Sequence, residues 1–164
     1  MNSIAIITSQ YLAVLEMLKE TVNRCPDALW EDPAEAAPVW RLAYHALFYT
    51  HLYLQPDGKD FKAWEKHREE AQRIDPKAKA CQPYTREEVL EYLALCQQQV
   101  KEIVPKLDLE ADRSGFGWLD MGKLELQIYN IRHTQQHTAE LMERLGAKAG
   151  VELPWVGKVP QEAR

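Results

Sequence analysis

The segment Arg132-His133-Thr134-Gln135-Gln136-His137 carries two imidazoles four residues apart. It lies in a stretch whose pattern reads as helix from about Asp120 to Leu145. Four residues along an α-helix is a rotation of about 40°, so both rings project from one face roughly 6 Å apart. That geometry suits two nitrogen ligands on one metal ion. A third candidate is His45, in the middle of the most apolar stretch of the chain and flanked within a turn by Leu42, Phe48 and Tyr49. A buried neutral imidazole needs a partner for each ring nitrogen, and a metal on one with a hydrogen bond on the other supplies both. Together His45, His133 and His137 offer three nitrogens at about 2.0–2.1 Å to one ion and leave a coordination position open for water or substrate.

Spacing alone leaves the ordinary reading beside this one, because histidines at i and i+4 occur by chance and a buried His45 fits a hydrogen-bonded core residue. His51, about 120° around the helix from His45, is the rival ligand and reads as a helix-surface histidine. His67 falls in a polar stretch and reads as solvated. Glu140 and Asn130, one turn after His137 and one turn before His133, are placed to orient an imidazole. Tyr49 is placed near the same pocket, and the chain marks no residue as catalytic. Several reactions are pruned by missing motifs. Thr134 follows His133, so the HExxH peptidase arrangement with its glutamate base is absent. Asn130 stands three before His133, so the Glu-x-x-His of di-iron bundles is absent too. There is no P-loop, dinucleotide glycine fingerprint or GxSxG elbow.

The elements that must position these residues are four long periodic segments. Ser3 to Arg24 places Ile4, Ile7, Tyr11, Val14, Leu15, Leu18 and Val22 at helical spacing, and stops near Cys25-Pro26. Val39 to Leu54 is apolar on nearly every face, which predicts the most buried helix of the set. From Gln55 to Pro83 the pattern breaks at Gln55-Pro56-Asp57-Gly58 and Asp75-Pro76, a long connection with a short helix expected around Phe61 to Arg73. Thr85-Arg86-Glu87-Glu88 fits a capping box, and Val89, Leu93, Cys96, Val100, Ile103 and Leu107 follow it as a stripe. The last helix follows the loop Ser114-Gly115-Phe116-Gly117, is expected to end at Gly146, and has Leu124, Ile128, Ile131 and Leu145 as its expected core contacts. The tail from Gly150 to Arg164, with Pro154-Trp155-Val156-Gly157, is irregular. The expected fold is all-α, one domain over residues 1–164: a four-helix bundle with a long connection between helices 2 and 3.

A chain of 164 residues is long enough to bury a core without staples. With 46% hydrophobic and 27% charged residues it reads as a soluble globular protein, and no run approaches the roughly 18 apolar residues of a membrane span. Met1 to Gln10 lacks the charged start and cleavage site of a signal peptide, so a cytoplasmic location is expected. Twenty basic residues against 25 acidic, a net of −5, are scattered along the chain, and a grip on phosphate backbone needs a concentrated basic surface. Neither nucleic acid nor membrane is an expected partner. Cys25, Cys81 and Cys96 are odd in number and irregularly spaced, which fits reduced thiols.

The stretch Trp40-Arg41-Leu42-Ala43-Tyr44-His45-Ala46-Leu47-Phe48-Tyr49-Thr50 and the stretch from Leu126 to His137 resemble the two histidine helices of the DinB-like (DinB/YfiT-like) superfamily. The order of helices, the connection and Trp155-Val156-Gly157-Lys158 also fit. The resemblance implies a metal-binding four-helix bundle, often a homodimer, with one histidine from the second helix and an HxxxH pair from the last. Those positions fall on His45, His133 and His137. It further implies a divalent ion, zinc or nickel foremost, with iron and copper suited to the same donors. Members with an assigned activity include metal-dependent transferases acting with thiols of the bacillithiol or mycothiol type, and a maleylpyruvate isomerase. The leading expectation is therefore a transferase joining a low-molecular-weight thiol to an electrophilic small molecule. The alternative is a non-catalytic bundle that binds a metal or a stress-related ligand, or dimerises through apolar faces that include Trp118 and Trp155.

Overall fold

The computed structural model describes residues 2–59, 61–75 and 79–159, and among them the secondary structure is entirely helical. Helix α1 spans Ser3–Arg24, α2 is the single turn Asp27–Trp30, α3 spans Val39–Leu54, α4 Arg86–Ile103 and α5 Lys123–Ala149. Short 3-10 turns follow at Glu69–Gln72 and Val104–Lys106. No described helix is long and apolar enough to cross a membrane. Met1, Pro76 of the expected Asp75-Pro76 break, and residues 160–164 of the expected tail lie outside the described residues.

Each long helix begins or ends where local chemistry dictates. Asn2 Oδ1 accepts from the Ala5 amide at 3.0 Å and caps α1, and the chain leaves that helix through extended Cys25, ahead of Pro26. The capping box at α4 forms in both directions: the Glu88 amide donates to Thr85 Oγ1 at 3.2 Å and the Thr85 amide to Glu88 Oε2 at 2.9 Å. Helix α5 runs one turn past the expected stop. Gly146 stays helical, and Gly150, at φ +64°, ends the helix by donating back to the carbonyls of Leu145 and Gly146.

Helix α1 packs against α4 and α5, and α3 against the same two. As its composition predicts, α3 is buried along nearly its whole length, from Val39 to Leu54. The apolar prediction for α5 is wrong at Ile128, which is 48% exposed, and Leu124 and Ile131 are only partly buried. The buried face of α5 is instead polar and includes Gln127, Asn130, Thr134 and Thr138 beside Leu126, Leu141 and Leu145. Tyr11 Oη donates to Gln127 Oε1 at 2.9 Å, Asn130 Nδ2 to Tyr11 Oη at 2.9 Å, and Thr50 and Thr134 pair through their hydroxyls at 2.7 Å. Groups from α1 and α3 thus pair with most of this seam, and an apolar count along the sequence misses it.

The stretch between α3 and α4 does not form the helix expected around Phe61 to Arg73; the Glu69–Gln72 turn is its only helical element among the described residues. It is held by aromatic packing. Trp64 stacks on Tyr92 at 4.7 Å and Tyr84 on Tyr44 at 4.5 Å, so rings from this stretch and α4 lie against α3. His67 belongs to this cluster rather than to solvent: its Nδ1 meets Tyr44 Oη at 2.6 Å and its ring stacks on Phe48. The start of α5 is tied down by buried Lys123, whose Nζ donates to the carbonyls of Pro56 and Ser114. Beside it Gly115 sits at φ +90°, where a Cβ would collide with the Pro56 carbonyl oxygen. Gly115→Ala is expected to destabilise the fold by about 1–3 kcal/mol, from left-handed strain plus the displaced carbonyl. Urea unfolding followed by circular dichroism checks it, and an unchanged midpoint would refute it.

Candidate metal centre

Helices α3 and α5 bring His45, His133 and His137 together, with candidate ligand nitrogens that all lie within 4.8 Å of one another. The Nε2 of His133 is 3.2 Å from His45 Nε2 and 3.2 Å from His137 Nε2. Two nitrogens bound to one tetrahedral ion at about 2.0–2.1 Å stand about 3.3 Å apart, so these separations match shared ligation closely. His45 is 9% exposed and His137 6%, which places the cluster at the edge of the core.

The outer nitrogens determine what the inner ones can do. His45 Nδ1 lies 2.7 Å from the Gln72 carbonyl oxygen, which only accepts, so the Nδ1 carries the proton and Nε2 presents a lone pair. His137 Nδ1 lies 2.9 Å from Glu140 Oε2. Burial works against the Glu140 carboxylate, but bonds from His137 and Gln136 hold it below its usual range, so it too accepts and His137 Nε2 presents a second lone pair. Both lone pairs face His133 Nε2, which has at most one proton to offer. His133 Nδ1 is meanwhile buried with no partner. Protein hydrogen bonds cannot satisfy this arrangement in any tautomer, whereas a cation accepting from three Nε2 atoms resolves the crowding at its centre. The residues therefore fit a metal ion by both distance and tautomer.

The remaining candidates divide. Glu140 orients His137 as expected. Asn130 is drawn into the buried seam with Tyr11 and the Thr50 carbonyl, and its Oδ1 is buried without a partner. His51 is not on the surface: it is 6% exposed, its Nδ1 meets Tyr92 Oη at 3.2 Å, and it faces Phe61. It lies outside the three-histidine group. Tyr49 flanks the cluster, with its ring 4.9 Å from that of His45 and 5.4 Å from that of His133. Sequence reasoning missed Gln72, whose contribution comes through its backbone and carries no side-chain signal. The three cysteines are free, as their spacing predicts.

Burial disfavours charge on these imidazoles. Desolvation lowers His45 to about 4 despite the Gln72 carbonyl, and lowers His133 to about 3 with help from the neighbouring His137 and His45 rings. Free histidine titrates near 6.5, so between that pH and about 4 the unfolded chain binds protons that the folded chain refuses. The stability these groups contribute is present above pH 6.5 and is lost as pH falls toward 4. Metal-free protein in chelator is expected to unfold at progressively lower urea from pH 7.5 to 4.5. His45→Gln with His133→Gln would lessen that slope, leaving the share of His51, which burial likewise lowers to about 4, and of His67, which burial also lowers; a slope that both substitutions leave undiminished would refute the assignment. Comparison of the chain with family models, with curated proteins and with solved structures found no match in any of the three, so the reading of the site stands on its own geometry.

Proposed function

We propose that this chain holds one divalent metal ion on His45, His133 and His137 and uses it in thiol transfer, as a four-helix bundle of the DinB-like kind. The observation that carries the reading is the convergence of three Nε2 atoms on one point, two of them fixed as lone pairs by Gln72 and Glu140. The bundle form is supported by four long helices each packed on two others, and by a connection that reaches back across α3 to His45.

Three neutral nitrogens leave the charge of a divalent ion uncompensated and a coordination position open. When bound, such an ion supplies Lewis acidity that keeps a thiol ionised near neutral pH. The donor set suits zinc and nickel foremost, and iron or copper as well. The chain's own residues supply orientation: Gln72 and Glu140 set two rings, and Tyr49 covers one side. An external thiol is favoured over an internal one. Burial pushes the Cys25 thiol up to about 11 and Cys96 higher still, and Cys81 is engaged by Arg41 Nη2 at 3.2 Å. The substrate pair is thus a low-molecular-weight thiol and an electrophilic small molecule.

Protein purified without a histidine tag is expected to carry about one equivalent of metal by elemental analysis, with His45→Ala and His137→Ala each abolishing it. Sub-stoichiometric metal that neither substitution changes would sink the site. Glu140→Gln, which removes the charge but keeps the shape, is expected to weaken metal binding by about 10–100-fold in chelator competition. A thiol panel assayed against monochlorobimane should show a rate that His133→Ala removes. Equal rates in parent and variant would leave a metal-binding protein without this activity.

A further inference from the structure

Beyond the three imidazoles, an unbroken series of aromatic side chains leads outward along the seam between α3 and α5. It starts at Tyr49, whose ring touches those of His45 and His133 and whose hydroxyl has no hydrogen-bond partner among the described residues. Tyr53 follows at 5.6 Å and Tyr129 at 6.1 Å from Tyr53. Trp118 closes the series by donating from Nε1 to Tyr53 Oη at 3.4 Å, with Phe116 packed against both Tyr53 and Trp118. The outer members are open to solvent: Tyr129 is 37% exposed and Trp118 64%. Tyr129 stands one turn before His133, and the two also reach a cavity of about 560 Å³ between α5, α1 and the tail, lined with Gln10, Val14 and Trp155 but not with Tyr49, Tyr53 or Trp118.

We propose that Tyr49, Tyr53, Tyr129 and Trp118 form a lane that binds the aromatic ring of a small substrate whose donor atom reaches the ion, with the Tyr49 hydroxyl donating to that atom. The inference rests on the metal reading above and names the substrate class for it. Three features select a planar aromatic occupant. The lane presents ring faces and edges in succession, the surfaces against which another ring gains most. It is continuous with the rings of two proposed metal ligands, so its occupant must be small enough to reach them. Its inner end offers the Tyr49 phenol, beside the His45 and His133 rings and with a hydroxyl that no described residue engages. Tyr49 therefore acts as a hydrogen-bond donor that positions the reacting atom, while Tyr129 and Trp118 decide which side chain the substrate carries.

The test uses the protein loaded with cobalt(II), titrated with 2-phenylethanethiol and with ethanethiol while visible absorption reports binding at the ion. The parent is expected to bind the phenyl compound about tenfold more tightly or better. Tyr129→Ala and Trp118→Ala should bring the two thiols toward equal affinity at unchanged cobalt content. Tyr49→Phe should weaken both thiols and preserve the ratio between them, a pattern that a packing defect would not give. Cobalt that loads normally, with no phenyl preference or with one that neither Tyr129→Ala nor Trp118→Ala alters, would overturn the lane alone. Failure of cobalt to load would overturn the metal reading and the lane with it.

Discussion

The azimuth of α5 about its own axis is the constraint on which the rest of the site depends. Rotation by one residue, about 100°, would carry His133 and His137 away from α3. Apolar packing alone resists such rotation weakly, since one leucine replaces another at small cost. The seam of Tyr11, Gln127, Asn130, Thr50 and Thr134 resists it strongly, because each of these groups is fully buried and rotation would leave donors and acceptors stranded. Specificity of orientation is thus provided by polar contacts in a place where the hydrophobic effect provides affinity but little discrimination.

This division of labour explains what could be read from the sequence. Helices α1 and α3 and the start of α4 were legible because their signals are local: a stripe, an apolar run, a capping box. The three-histidine cluster was legible as well, since an i,i+4 pair and one histidine on a buried helix are both visible along the chain. The register of α5 was not, because its core face is built from threonine, asparagine and glutamine, whose partners lie 80 or more residues away. His51 and His67 were misplaced for the same reason. Tyr92 and Tyr44 give them partners that only the tertiary path of the connection and α4 reveals.

The stop of α5 shows the reverse case, in which a local signal was present twice. Both Gly146 and Gly150 could end a helix, and the choice falls on the one whose left-handed backbone lets its amide and that of Val151 reach the Leu145 and Gly146 carbonyls. The extra turn matters beyond the helix itself: it carries Lys148 to Asp32 and Glu35, which joins the end of α5 to the loop before α3. Such exposed pairs contribute little stability individually, but they bring the far ends of the two histidine-bearing helices into one neighbourhood.

The hydrogen bond from His45 to the Gln72 carbonyl has a consequence for how this protein can vary. A main-chain oxygen is the same at every residue, so the side chain at position 72 is free to change without disturbing the imidazole. The spacing is not free. Adding or deleting a residue in the stretch that ends at the Glu69–Gln72 turn would move a different carbonyl, or none, into reach of Nδ1. Length in this part of the chain is therefore under tighter constraint than identity, the inverse of what a loop ordinarily tolerates.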